Sequence, residues 1–153
     1  MSIDLSRYVM PSGQGEVLEL GPPHTGKIII TVDPKNTGET RFCMLIQVLN
    51  PGGVVPVHLH EGEEQILFFY AGHGTANLDD KEMEVHPGTT VYVPRQVWHG
   101  FINTGTEPLC VFETTSPPGP ENVFRELNQL STPQEMSTLL QIAAKYGVRV
   151  KGV

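Results

Sequence analysis

Basic side chains are scarce in this sequence. Ten Lys and Arg stand against seventeen Asp and Glu, a formal net charge of -7. A protein that grips phosphate backbones needs a basic surface, so this balance argues against nucleic acid as a partner. Long apolar runs are missing too. None approaches the length of a membrane span, which argues against a membrane partner. The first ten residues, MSIDLSRYVM, lack a basic segment followed by a long apolar one. No secretory leader of the usual kind is expected from that, and a cytoplasmic location is predicted. There are only two cysteines, Cys43 and Cys110, both in strand-like segments, and they read as free buried thiols rather than a disulfide or redox pair. No internal repeat is visible, and 153 residues suit a single domain.

What is present is punctuation. Sixteen Gly and thirteen Pro are spread along the chain rather than gathered in a linker. Short β-rich segments between turn signals predict a sandwich or barrel. Strands are expected at 16–20, 27–32, 41–49, 54–60, 65–71, 75–78, 83–85, 90–93, 98–103 and 109–114, with DPKNTG as a turn and Cys110 and Phe112 sharing a buried face. Beyond SPPGP at 116–120 the pattern becomes helical. Val123, Phe124, Leu127 and Leu130 form one apolar stripe, and Met136, Leu139, Leu140, Ala143 and Tyr146 another. Thr132, Pro133 and Glu135 match a capping box with Pro at the first helical position, and Gly147 is the stop. The helices are expected either on the outside of the sheet or over the barrel mouth. The final VRVKGV reads as a short strand, with pairing across a dimer as one option.

The chemistry concentrates between Gly52 and Asn103. In VVPVHLH, His58 and His60 are two residues apart, and on a strand such residues project to the same side. Two adjacent imidazoles form a bidentate metal chelate, and neutral imidazole is the commonest metal ligand. A solvated pair on an edge strand is the plain alternative. A third ligand must come from elsewhere, and His99 is the candidate. His99, Phe101 and Asn103 share strand parity, which sets Phe101 as a wall of the same pocket. His24 reads as a solvated loop residue, with a substrate contact as its alternative, His86 as an exposed residue before a turn, and His73 as a turn residue, with a fifth-ligand role as its alternative. Arg41 reads as a surface residue, with an anion-holding role inside the barrel as the alternative.

These residues resemble the two-part signature of the cupin family. In its first part a Gly is followed by five residues and His-x-His, then after three or four residues a Glu, then six residues and a Gly. Gly52, His58, His60 and Gly72 fall in place. In the second part, Gly88, Pro94, His99 and Asn103 match. Gln96 stands where the family has Gly. At the Glu position the chain has Gln65 when counted back from Gly72, and Glu64 when counted forward by the shorter gap. The two side chains face opposite sides of a strand. The fixed distance to Gly72 favours Gln65 as fourth ligand and leaves Glu64 as the rival, or as a catalytic base.

The resemblance implies an all-β double-stranded β-helix, a jelly-roll barrel over about 16–115, followed by C-terminal helices over about 121–146. It implies one divalent transition metal ion (Fe, Mn, Ni, Cu or Zn) held by His58, His60, His99 and Gln65. The function expected first is a dioxygenase-type oxidoreductase acting on a small organic molecule. Zinc-type Lewis-acid isomerase, cyclase or lyase chemistry is the alternative, and a binding protein without turnover the third reading. The apolar outer face of ILFFY predicts a homodimer.

Overall fold

The computed structural model describes residues 2–38, 40–130 and 135–152. Short segments rich in β-branched and aromatic residues form eleven strands among the described residues: β1 (Glu16–Leu20), β2 (Gly26–Val32), β3 (Cys43–Leu49), β4 (Val54–His60), β5 (Glu64–Ala71), β6 (Gly74–Leu78), β7 (Lys81–Val85), β8 (Thr90–Val93), β9 (His99–Asn103), β10 (Leu109–Ser116) and β11 (Val148–Val150). They build two antiparallel sheets, one ordered β1-β2-β3-β10-β5-β8 and the other β11-β4-β9-β6-β7. Leu49, Val55, Leu67, Phe69, Phe101 and Val111, drawn from both sheets, pack into one apolar cluster between them. This is the double-stranded β-helix expected from the sequence.

The interior is not apolar throughout. Along β10 the inward residues are Leu109, Val111, Glu113 and Thr115, all buried. Along β5 they are Gln65, Leu67 and Phe69, and along β3 Cys43, Leu45, Gln47 and Leu49. One end of the barrel is thus filled with hydrocarbon and the other is lined with amides and a carboxylate. Cys110 and Phe112 take the opposite parity from the one expected: they lie on the outer face, half-buried, because LCVF is apolar on both sides and gives no cue to register. Gly72 shows why its motif position is glycine. It has φ 80°, and a Cβ there would stand 2.3 Å from the Pro108 carbonyl oxygen.

Among the described residues, three short α-helices and a 3-10 turn at Leu5–Arg7 complete the fold. DPKNTG is more than a turn: Asp33 and Asn36 form a capping box around a single helical turn, α1 (Pro34–Thr37). The other two are α2 (Glu121–Asn128) and α3 (Met136–Lys145), the latter ending before Gly147. Thr132 and Pro133 of the expected capping box lie outside the described residues; Glu135 caps α3 without a side-chain hydrogen bond. Arg125 ties α2 to the barrel, donating to Glu16 at 2.6 and 2.9 Å and to the buried Asp33 at 2.6 Å. β11 pairs with β4 of its own chain, Val148 opposite His60 and Val150 opposite His58, and not across a dimer. Both helices and β11 line the mouth of the barrel, where Phe124, Leu127, Leu139 and Val148 wall a cavity.

Candidate metal centre

Backbone register brings the three histidines together. His58 and His60 sit two apart on β4, and His99 on β9 is the direct partner of His58. The register of β4 shifts between Val55 and His58, at Pro56, which has no N–H to give to the ladder. Val55 and His58 therefore both line the cavity. The ring centroids are 4.2 Å apart for His58 and His99, 5.0 Å for His58 and His60, and 5.4 Å for His60 and His99. One nitrogen from each ring lies within 4.8 Å of the other two.

The surroundings set which nitrogen is free. His58 Nδ1 lies 2.7 Å from the Pro56 carbonyl oxygen and His99 Nδ1 3.0 Å from that of Val97. A carbonyl only accepts, so each Nδ1 carries the proton and each Nε2 a lone pair. His60 is buried, and both its ring nitrogens lack a partner. Buried unpaired polar atoms cost about 1–3 kcal/mol each, and a cation removes that cost for the nitrogen that binds it.

Gln65 supplies a second test of fit. Its Oε1 lies 2.8 Å from His99 Nε2, while its Nε2 donates to Glu113 at 2.8 Å and to Thr115 at 3.0 Å. Two lone pairs thus face each other, because the one proton of neutral His99 is held by Val97. A second proton is excluded by burial, which pushes His99 down to about 3. Neighbouring donors around an ion with bonds of about 2.1 Å stand roughly 3 Å apart. Nε2 of His99 and Oε1 of Gln65 have that spacing. Three neutral imidazoles and one amide oxygen suit a borderline divalent transition ion.

Glu113 orients this arrangement. On β10 it sits diagonally between Gln47 on β3 and Gln65 on β5, within reach of both long side chains. Its two oxygens take the amide N–H of each glutamine. Each glutamine carbonyl is thereby turned away: that of Gln65 toward His99, and that of Gln47 toward His24, whose Nε2 lies 3.1 Å from it. Burial pushes the Glu113 carboxyl up, and hydrogen bonds from Gln47 and Thr115 oppose the shift. His24 is buried rather than exposed as expected, because Gln47 gives it a partner inside the barrel.

Glu64 is placed on the outer face, exposed, accepting from the Tyr92 hydroxyl at 2.8 Å. Strand alternation turns it away from the cavity that Gln65 lines, and the expected role as ligand or catalytic base does not fit that position. The carboxylate near the histidines is Glu63, with Oε2 3.8 Å from His60 Nδ1 and burial raising its pKa. His73 is exposed and outside the cluster, as are His86 and Arg41. Asn103 is buried but structural: it donates to the Leu49 and Glu107 carbonyls at 2.9 and 2.8 Å. Gln96 keeps the turn that glycine makes in the motif, adopting φ 62° and donating its N–H to the His60 carbonyl at 2.8 Å. Gln47 and Glu113 escaped the sequence reading. Their signal is a polar residue, Gln47 or Glu113, directly following apolar ones at inward positions of its strand face.

Buried neutral rings make stability depend on pH. Burial holds His24 down at about 4 and His60 at about 2, where neighbouring His58 and His99 add to the effect. In the unfolded chain such rings take up protons near 6.5. The metal-free fold excludes those protons, so its stability is full above about pH 6.5 and is lost as pH falls toward the folded values. Each ring costs about 1.4 kcal/mol per pH unit in that window. Metal-free protein is expected to unfold well above pH 4, as followed by circular dichroism. Stability that is flat from pH 6.5 to 4 contradicts burial of neutral rings.

Comparison with known proteins agrees with this geometry. The cupin domain model matches residues 45–115, which hold all three histidines, both glutamines and Glu113. An uncharacterized protein of Methanocaldococcus jannaschii is 33% identical over 67 residues, 44% of this chain and 54% of the relative. Protein SchB of Streptomyces halstedii is 31% identical over 88 residues, 57% of this chain and 64% of the relative. The chain thus spans between half and two thirds of the length of these relatives. Among solved structures, a predicted oxalate decarboxylase from Thermotoga maritima superposes with TM-score 0.63 at 19% identity, covering 72% of this chain and 99% of the other. A sugar phosphate isomerase from the cupin superfamily, from Silicibacter pomeroyi, gives TM-score 0.63 at 16% identity, covering 72% and 76%. At such identities the likeness is one of fold. The segment that matches the cupin domain, residues 45–115, is also the one that carries the paired motifs into a two-sheet barrel.

Proposed function

We propose that this chain is a metal-dependent enzyme acting on a small organic molecule, in the first place an oxidoreductase of the dioxygenase type. The observation that supports it most is the convergence of three neutral imidazoles and the Gln65 carbonyl at a cavity of about 350 Å³. A divalent iron, manganese, nickel, copper or zinc ion bound there supplies Lewis acidity and, for the redox-active ions, electron transfer. His58 and His99 would hold it through Nε2, His60 through either free nitrogen, and Gln65 through Oε1. Four neutral ligands leave the full charge of the ion to act on a substrate oxygen, whereas a carboxylate ligand halves it. Glu113 holds Gln65 in the ligating orientation. The apolar walls from α2, α3 and β11 keep bulk water from the reacting atoms.

One observation favours a second reading, redox-free isomerase, cyclase or lyase chemistry. The partly buried Glu63 carboxylate lies 3.8 Å from His60 Nδ1 and outside the cavity lining, so it would exchange a proton with the cavity only by way of that ring. The test is to load the metal-free protein with each ion in turn and follow oxygen uptake with catechols, diketones and flavonols. Uptake with redox-active ions and not with zinc supports the first reading. Turnover with zinc and no oxygen consumption supports the second, and no turnover of any kind leaves a binding protein.

The reading extends to a homodimer. Val17, Ile29, Ile46, Phe112 and Phe68 are neighbours in register across five strands on the outer face of the larger sheet. Phe68 is 39% exposed and Val17 48%. A continuous apolar face of this kind calls for cover. Light scattering is expected to give twice the 16.8 kDa chain mass, and a monomer mass overturns the dimer. No helix among the described residues is long and apolar enough to cross a membrane.

A further inference from the structure

The two helices at the mouth of the barrel are amphipathic, and their polar sides are already partnered. Arg125 on α2 donates to Glu16 and Asp33. Glu126 accepts from Lys145 and Tyr146 at the C-terminal end of α3. Asn128 donates to the Glu19 carbonyl at 2.9 Å. The apolar sides are not satisfied in the same way. Val123, Phe124 and Leu127 of α2, with Leu139 and Ala143 of α3, line the cavity that holds the three histidines. Among these described residues only Ala143 is buried; the others are half-buried and keep accessible surface. Phe124 also packs on the apolar cluster of Leu18, Ile28 and Leu45, but Leu127 and Leu139 have no place in either core cluster. A hydrocarbon stripe held in place by its polar side, yet left half-exposed toward a cavity, calls for cover.

The hydrocarbon reaches the histidines. Val148 and Val150 on β11 stand opposite His60 and His58 in the ladder and line the same cavity. Among the described residues of this lining there is no Lys or Arg; its charged side chains are Glu113, engaged by both glutamines, and Glu19, which is exposed. An oxygen head at the histidine end is neutralised by the divalent ion that those residues suit, so one negative charge is accommodated there. A second charged group elsewhere on the molecule meets hydrocarbon and no cation of the protein, and charge withdrawn from water without a partner is costly. The volume of about 350 Å³ falls within the range of small-molecule sites, about 300–1,000 Å³. That volume, with ligating nitrogens in its wall, fits a small molecule with a metal-binding head rather than a second protein chain.

We propose that the cavity takes a small molecule with one oxygen-donor head, neutral or singly anionic, on an otherwise apolar body, and that Leu127 and Leu139 are the residues that recognise the body. This deepens the reading of a metal-dependent enzyme and rests on its metal site.

Hydroxamates, which offer two oxygens to an ion, supply one head on three bodies: methyl in acetohydroxamate, phenyl in benzohydroxamate and a charged phenyl in para-carboxybenzohydroxamate. Each is titrated calorimetrically at neutral pH into zinc-loaded protein whose metal content is measured on the same sample. Benzohydroxamate is expected to bind at least about tenfold more tightly than either of the others. The double variant Leu127→Asn with Leu139→Asn is expected to keep zinc and acetohydroxamate and to lose that preference. Should this variant fail to fold, NMR of the zinc-loaded wild type decides: ring protons of bound benzohydroxamate give Overhauser contacts to the methyl groups of Leu127 and Leu139. Acetohydroxamate or the para-carboxy probe binding zinc-loaded protein as tightly as benzohydroxamate overturns the proposal and leaves the metal site standing. So does a folded double variant with the wild-type preference, or a lack of those methyl contacts. Methyl signals that shift on diluting the protein and not on adding benzohydroxamate would mark a second copy as the cover, and overturn it too. Protein that takes up no zinc overturns the metal site itself, and this proposal with it.

Discussion

Replacing His99 with alanine is expected to remove nearly all bound metal while the chain still folds. His99 sits opposite His58 in the ladder and 2.8 Å from Gln65, so it belongs to both halves of the proposed ligand set. Residues that merely orient a ligand change metal affinity by about 10–100-fold; loss of a ligand itself is expected to exceed about 100-fold. The fold should survive, because the ring's sole donated bond goes to Val97, two residues away, and its other nitrogen faces an acceptor. Elemental analysis and circular dichroism of the same sample check both halves of the expectation. A full complement of metal in His99→Ala, and likewise in His58→Ala, removes these residues from the site.

Glu113→Gln is the second large effect. The substitution preserves shape but replaces one acceptor oxygen by a donor. Glu113 receives an amide N–H on each oxygen, so one glutamine must turn over or leave two donors facing each other. If Gln65 turns, its NH2 group points at His99 and repels a cation; if Gln47 turns, its NH2 group faces His24, whose ring must shift its proton to Nδ1 to accept the bond. Metal affinity is expected to fall by about 10–100-fold, with a loss of stability of about 1–3 kcal/mol for the unsatisfied buried groups. Zinc titration against a competing chelator reads the first and urea unfolding the second. Wild-type values for both would show that Glu113 positions neither glutamine.

The parts legible in the sequence are those with a period or a spacing. β4 and β8 begin and end where VVPVHLH and TVYV predict, and the motif glycine at 72 marks a true left-handed turn. The His-x-His spacing places two rings together because strand period leaves no other choice. The parts that were not legible depend on partners distant in sequence. Whether residue 64 or 65 faces inward is settled by pairing with β10 and β8, as ILFFY is apolar on both faces. His24 looked like a loop residue because its partner, Gln47, lies on another strand. Glu113 reads as a polar interruption in LCVFETTS until β3 and β5 bring two amides to it. The strand VRV is edge-forming by composition, but its place beside His58 and His60 follows only from how α3 returns the chain to β4.

The central claim is that His58, His60 and His99, with Gln65, form one transition-metal site. Its most direct test is elemental analysis of untagged protein purified without chelator, followed by equilibrium dialysis of the metal-free form against zinc. About one ion per chain in the wild type, lost in a variant with all three histidines changed to alanine, is the predicted result. A wild-type protein that neither carries nor takes up metal, or a triple variant that binds it equally well, would contradict the account.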